Sequence, residues 1–206
     1  KTLRKTFYQK KKNSFKNENQ HQMLKKLELQ EYEQKKLFAY AKKIKVDLIS
    51  SAFDIKSLFF LKKFNMKYFK IPSPEITNYP LLKAIGKLNK KIILSTGMSK
   101  INEIKSALKV LIRSGTKKNK ICILHSNSEY PTPFNDANLN AIATLKKKFD
   151  LKTGYSDHTM GIEAPIAAVA LGAEIIEKHL TLDCNLSGPD HKTSIEPEEF
   201  KKMVES

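Results

Sequence analysis

Six times along the chain, a short apolar run is followed by a stretch whose apolar residues recur at helical spacing. The runs fall at 46–50, 66–71, 91–94, 120–125, 151–154 and 173–176. The helical stretches fall at 55–64, 81–88, 100–114, 139–148 and 164–171, with a last one beginning near Glu196 around Pro197. Parallel strands need a crossover between them, usually a helix, so strict alternation predicts a parallel sheet in an α/β fold. The stretch 100–114 is the clearest amphipathic helix, opened by Ser99 or Lys100 and closed by Gly115. The runs are apolar, whereas the residues at their C-terminal ends are Ser, Thr, Lys, Glu and His. That asymmetry is expected of a β/α barrel, whose chemistry sits at the C-terminal ends of its strands. Six units also fit an open doubly wound sheet. The chain has no glycine-rich strand-to-helix turn, which counts against the dinucleotide-binding version of that sheet.

Two strand ends carry histidine. His158 follows the run 151–154, His179 follows 173–176, and the Ala-rich segment 164–171 lies between them. Successive strands of a barrel deliver such residues to one rim, where two imidazoles are placed to share a divalent ion. The competing reading is a pair of ordinary hydrogen-bonded strand-end histidines. Glu177 stands two residues before His179, and strand alternation points both to the same face.

The 206 residues are 40% hydrophobic, enough for one good core but short of the roughly 250 of a full eight-fold barrel. No run is long enough to cross a bilayer, and Lys1-Thr2-Leu3-Arg4 does not open a signal peptide. The chain begins without Met and reads as a piece of a longer protein. Two cysteines, Cys122 and Cys184, are too few for a disulfide framework and suit a cytoplasmic setting. The net charge of +17 raises nucleic acid as a partner, but the basic residues are mostly lysines spread along the chain. Only residues 1–16 form a basic cluster, without a nucleic-acid motif, so specific nucleic-acid binding is not expected. Residues 1–20 read as a basic polar segment. Short helices around Met23 to Leu29 and over 31–43 open the domain, which runs over 21–206.

Six motifs stand in order after Gln22: Lys70-Ile71-Pro72-Ser73-Pro74-Glu75 with Asn78-Tyr79-Pro80-Leu81, Leu94-Ser95-Thr96-Gly97-Met98, Tyr130-Pro131-Thr132-Pro133, Tyr155-Ser156-Asp157-His158-Thr159, Glu177-Lys178-His179, and Gly188-Pro189-Asp190-His191. In order and spacing they resemble the sialic acid synthase family, which includes N-acetylneuraminate, legionaminic and pseudaminic acid synthases. The resemblance implies a (β/α)8 TIM barrel followed by an antifreeze-like domain. This chain would be a partial barrel holding strands three to eight, with the first two strands and the C-terminal antifreeze-like domain absent. It also implies a cytoplasmic enzyme of surface-polysaccharide biosynthesis, a homodimer at full length. That enzyme condenses phosphoenolpyruvate with an N-acetylated hexose, N-acetylmannosamine or a relative, to a nine-carbon 2-keto acid. Weak or no turnover is expected of the isolated chain.

Carried over residue by residue, the resemblance assigns a divalent metal, Mn²⁺ or Mg²⁺, to His158 and His179. Phosphoenolpyruvate falls to Lys70, Ser73, Ser51, Ser128 and Ser156, and the sugar side to Tyr130 and Asp190. Glu75 is the candidate for proton handling, and with Lys70 and His179 makes up the catalytic group. The sequence departs from the family pattern at Ser51-Ala52, where Thr-Pro is common, and at Pro72 and Pro74, where many members have Gly. The latter removes two backbone donors. The acidic residue of the family's first strand, the Lys and Gln of its second, and a sugar-contacting Arg from the partner's C-terminal domain have no counterpart. Two other readings stay open: a class I aldolase-type barrel using Lys70 as a Schiff-base residue, and a non-catalytic remnant or basic binding module.

Overall fold

The computed structural model describes residues 19–206, so the basic cluster over 1–16 lies outside the described residues. Two helices lead in. The first, α1 (Gln20–Leu27), is opened by an Asn19/Gln22 capping box, and α2 (Glu31–Lys43) by the Glu33 carboxylate on the Gln30 amide. Then α3 (Ile55–Lys62) starts at Asp54, whose carboxylate accepts from the Ser57 amide at 2.8 Å. After it the chain alternates without exception: β1 (Tyr68–Ile71), α4 (Tyr79–Gly86), β2 (Lys91–Ser95), α5 (Ile101–Arg113), β3 (Ile121–Ser126), α6 (Asn140–Phe149), β4 (Lys152–Asp157), α7 (Glu163–Ala170), β5 (Ile176–Lys178) and α8 (Pro197–Glu205).

The sheet is parallel throughout and its strand order is β1-β2-β3-β4-β5, the order of the sequence. Right-handed crossovers that always step the same way keep every helix on one face. A doubly wound sheet must reverse its order, so the open alternative left by the sequence is excluded. The sheet also curls. Four strand spacings of about 4.8 Å would put β1 roughly 19 Å from β5 in a flat sheet, yet Lys70 Nζ on β1 lies 2.9 Å from Glu177 Oε1 on β5. The edges therefore face each other across a concave interior, as in an arc of a barrel.

Alternation divides the side chains between the two faces. Phe69, Ile71, Ile92, Leu94, Ile121 and Ile123 point outward into the main core, against α3 to α6. In α5 the buried residues are Ile104, Ala107, Leu108 and Leu111, the i, i+3, i+4, i+7 stripe that made this helix legible. Its end is fixed by Gly115 at φ 125°, a conformation that costs glycine little. Inward, Ile93, Cys122 and Leu124 form a small apolar floor with Tyr68 and Ile175. Polar residues stand above this floor, toward the C-terminal ends.

Two strand expectations are corrected. The run 46–50 is not a strand: its described ties to β1 and the turn before it are the Ser50 amide on Met66 Sδ at 3.3 Å and an Asp47–Lys67 ion pair. Instead its Ile49, with Ala52 just beyond the run, packs on the main core. The last strand lies at 176–178 rather than 173–176, because Ala173 packs with Ile142, Tyr155, Ala164 and Ala168 between α6 and α7. Lysines spread along the sequence also gather in space. Lys87, Lys90, Lys117, Lys118, Lys146, Lys147 and Lys148 all lie at the N-terminal end of the sheet, away from the polar rim. No helix among the described residues is long and apolar enough to cross a membrane.

Candidate active site

The concave side opens at the C-terminal strand ends into a cavity of about 650 Å³. Every strand contributes to its wall: Lys70 from β1, Ser95 from β2, Ser126 from β3, Ser156 from β4 and Glu177 from β5. The segments just beyond add Ser73, Gly97, Asn127, Ser128, Tyr130, His158, His179 and Asp190. Of the residues expected from the sequence, Lys70, Ser73, Ser128, Tyr130, Ser156, His158, His179 and Asp190 come together here.

Ser51 and Glu75 do not line this cavity. Ser51 belongs to the non-strand segment after α2. Glu75 ends a 3₁₀ turn, Ser73–Glu75, and its carboxylate accepts from Asn78 Nδ2 at 2.6 Å. Asn78 in turn caps α4. A turn of three residues rotates each side chain by about 120°, so Glu75 does not share the direction of Ser73 two positions earlier.

One half of the cavity suits an anion. Lys70 Nζ donates to Glu177 Oε1 at 2.9 Å, and the Ser156 hydroxyl donates to the same oxygen at 2.7 Å. Burial pushes the Glu177 carboxyl up, but the Lys70 charge and these two hydrogen bonds outweigh it and hold the group below its ordinary value. Ser73 Oγ accepts from the Gly97 amide at 2.9 Å, joining the loops after β1 and β2. A Cβ on Gly97 would stand 2.9 Å from Ser128 Oγ and 3.0 Å from Ser73 Oγ, so glycine is what lets three rim segments converge. Two buried oxygens here, Ser95 Oγ and Asn127 Oδ1, have no hydrogen-bond partner, although almost every buried polar atom in a protein has one. Both are suited to a bound polar ligand. The sequence did not single them out, because serine at a strand end serves equally well as a helix cap.

The other half is built on the imidazoles. The His158 and His179 rings lie 5.5 Å apart, edge to face. Tyr130 stacks on His158 at 3.9 Å and meets the His179 ring edge-on at 5.3 Å. His158 Nδ1 is 2.6 Å from the Asn127 carbonyl oxygen, which can only accept, so Nδ1 carries the proton and Nε2 keeps its lone pair. Burial pushes His158 down to about 4, leaving the ring neutral near pH 7. Burial, with the Asp190 and Glu177 carboxylates nearby, pushes Tyr130 up to about 12, so it remains a phenol. Behind this wall, on the opposite face of the sheet, Asp157 and Lys178 form a fully buried ion pair. Both residues sit inside the motifs read from the sequence, but only the strand register brings them together.

The neutral His158 predicts a pH dependence of stability. An unfolded imidazole titrates near 6.5 and this folded one near 4. Between those values the unfolded chain takes up a proton that the folded chain does not. Stability therefore falls as pH drops through this window, by up to about 3 kcal/mol, and is unaffected by this group above it. Glu177 acts lower down, since its stabilising contribution is lost only as pH falls below the ordinary 4.5. Thermal unfolding between pH 7.5 and 5 should show a flatter slope for His158→Gln than for the parent chain. Equal slopes would refute the assignment.

An in-order parallel β/α sheet curled around a polar C-terminal rim, with a lysine, hydroxyls and paired imidazoles, is the active-site layout of a barrel enzyme. Comparison with known proteins makes this specific. The chain belongs to the NeuB family, whose profile matches residues 1–206. It is 55% identical to the N,N'-diacetyllegionaminic acid synthase of Campylobacter jejuni, over 90% of this chain and 56% of that protein. It is 41% identical to the Legionella pneumophila protein of the same name, over 100% of this chain and 58% of that one. Among solved structures, the N-acetylneuraminic acid synthetase of Leptospira borgpetersenii, crystallised with citrate, superposes with a TM-score of 0.85 at 38% identity. That match covers 89% of this chain and 64% of the other. The chain thus spans about half the length of the curated relatives it matches. By name these relatives are two N,N'-diacetyllegionaminic acid synthases and a sialic acid synthetase.

Proposed function

We propose that this site joins phosphoenolpyruvate to an N-acetylated hexose, giving a nine-carbon 2-keto acid and inorganic phosphate. The observation that carries the reading is the pairing of an anion-binding half with an imidazole half in one cavity of a NeuB-family chain. A C–C bond forms between C3 of the enolpyruvate and the sugar aldehyde carbon. Water enters at C2, the phosphate leaves from C2, and the aldehyde oxygen takes up a proton. Lys70 and the hydroxyls of Ser73, Ser95, Ser128 and Ser156 are the groups to hold the carboxylate and phosphate. Glu177 fixes the Lys70 ammonium at the strand edge. Tyr130, a neutral phenol, and Asp190 face the sugar. The double N-acetylation in the names of the Campylobacter and Legionella relatives makes a diacetamido hexose the first sugar to try, with N-acetylmannosamine beside it. The reaction belongs in the cytoplasm, where phosphoenolpyruvate is made.

The residues fit a two-histidine metal site. His158 and His179 are close together and His158 offers Nε2, its Nδ1 being held by a backbone carbonyl as in many metal-binding histidines. Among the described residues no third His, Cys, Asp or Glu completes a cluster, which leaves positions for water or substrate oxygens. When bound, Mn²⁺ or Mg²⁺ supplies a Lewis acid for a carbonyl oxygen.

Titration calorimetry of phosphoenolpyruvate into the chain tests the reading. Binding should exceed that of inorganic phosphate at least tenfold and tighten when Mn²⁺ is present. Phosphate release should require the acetylated hexose. Binding no tighter than that of inorganic phosphate would sink the proposal. The aldolase reading fares worse on geometry, since the 2.9 Å contact with Glu177 occupies Lys70 Nζ as a donor. A Schiff-base lysine needs a free lone pair. Borohydride reduction with pyruvate should leave Lys70 unmodified.

A further inference from the structure

The register of β4 and β5 pairs Ser156 with Glu177 and Asp157 with Lys178, and the next residue along each chain is His158 and His179. Alternation puts the first and third of these pairs on the cavity face and the second on the opposite face. There the Asp157 and Lys178 side chains are 0% and 1% exposed, with Asp157 Oδ2 at 2.5 Å from Lys178 Nζ. The same ammonium donates to the Thr159 carbonyl at 2.6 Å, and Asp157 Oδ1 accepts from the Thr159 amide at 2.9 Å. The residue after His158 is therefore held at its amide and its carbonyl. The cation that holds it is the residue before His179.

The two rings differ in how they are supported. His158 has its own ring hydrogen bond to Asn127 and a stacked Tyr130. The His179 ring makes no hydrogen bond among the described residues and touches Tyr130 and His158 edge-on. Its placement depends on its backbone: Lys178 on one side, and its own carbonyl, which accepts from the Ile195 amide at 3.0 Å, on the other. A buried ion pair is an expensive way to fill this space, since well-packed apolar residues of similar volume often give equal or greater stability. What the ion pair adds is direction, because its hydrogen bonds fix one arrangement of the two strand ends.

We propose that Asp157 and Lys178 are positioning residues for the imidazole pair, holding the exit of β4 against the end of β5 so that both rings can serve one ion. This rests on the reading of His158 and His179 as metal ligands. Neither Asp157 nor Lys178 lines the cavity.

The test compares the chain with its D157L/K178M variant, which removes both charges together and leaves neither unpaired. Three quantities are read: thermal unfolding, Mn²⁺ affinity by calorimetry, and the imidazole ¹⁵N–¹H NMR spectrum of the metal-free chain. The expected result is a folded variant with Mn²⁺ affinity reduced at least tenfold. Its His179 cross-peaks should be broadened or doubled where the parent gives a single set. A folded variant with Mn²⁺ affinity within threefold of the parent and single sharp imidazole signals would overturn the proposal. Should the double variant fail to fold, Lys178→Arg keeps the charge but changes the reach, and the same two outcomes decide. If the parent chain itself binds no Mn²⁺, the metal reading fails, and the metal-free imidazole spectra alone decide the positioning claim.

Discussion

Replacing Lys70 with methionine is expected to weaken phosphoenolpyruvate binding by about 100-fold or more, corresponding to about 2.7 kcal/mol. Lys70 is the only Lys or Arg among the described residues lining the cavity, and its side chain is only 11% exposed. Two effects act in the same direction. The ligand loses charge-assisted hydrogen bonds, which are worth roughly 1.5–3 kcal/mol. In addition Glu177 loses the cation that offsets its burial and would stand beside the ligand's anionic groups as an uncompensated carboxyl. The second effect makes the prediction more specific than a charge deletion. The double variant K70M/E177Q should recover part of the loss, and E177Q alone should cost far less than K70M. Calorimetry on the three variants closes the cycle and isolates the coupling between the two residues. A Lys70→Met chain that binds phosphoenolpyruvate within threefold of the parent would show that the anion is held elsewhere.

Lys70 is singled out by the motif Lys70-Ile71-Pro72-Ser73-Pro74-Glu75 and its resemblance to the family, and it stands near the end of an apolar run, on the cavity wall. Position at a strand end likewise put His158 and His179 on the cavity wall, whereas residue types with several common uses gave no such signal. Ser95 and Asn127 sit in the wall with unpaired buried oxygens, yet serine and asparagine after a strand more often cap the next helix. Glu75 is a conspicuous carboxylate that does not line the cavity, since the chain coils into a 3₁₀ turn after β1 and the carboxylate accepts from Asn78 Nδ2. Strands suffered similarly. The apolar run 46–50 has the composition of a buried strand, but an apolar run can satisfy itself by packing on helices, and composition does not report pairing. The amphipathic helices were placed within a residue or two, since a 3.6-residue stripe has only one economical use. Most hidden of all was the Asp157–Lys178 pair, whose members are twenty-one residues apart and meet only through register. Local patterns thus disclosed which residues reach the rim, while contacts across strands required the fold.

Those contacts set up the last prediction: His158→Ala/His179→Ala should abolish Mn²⁺ binding, a loss of at least about 100-fold that leaves only nonspecific surface affinity. The two single variants should not be equivalent. Removing His158 deletes a ring that Tyr130 stacks on and that bonds the Asn127 carbonyl, so it should disturb the wall as well as the ion. Removing His179 deletes a ring with edge contacts alone, so its effect should fall on metal affinity with little change in thermal stability. Nitrogen donors also bear on the choice of ion. Mg²⁺ favours oxygen ligands and near-octahedral water, whereas Mn²⁺ tolerates imidazole better, so the parent chain should bind Mn²⁺ more tightly than Mg²⁺. Because burial holds His158 near 4, protons should begin to compete with the metal at that ring only well below pH 6, lower than for an exposed imidazole. Calorimetric titrations of Mn²⁺ and Mg²⁺ between pH 5.5 and 7.5, on the parent and the three variants, read all of these effects. Unchanged Mn²⁺ affinity in the folded double variant would remove the metal from this cavity and leave the two imidazoles as hydrogen-bonding groups of the wall.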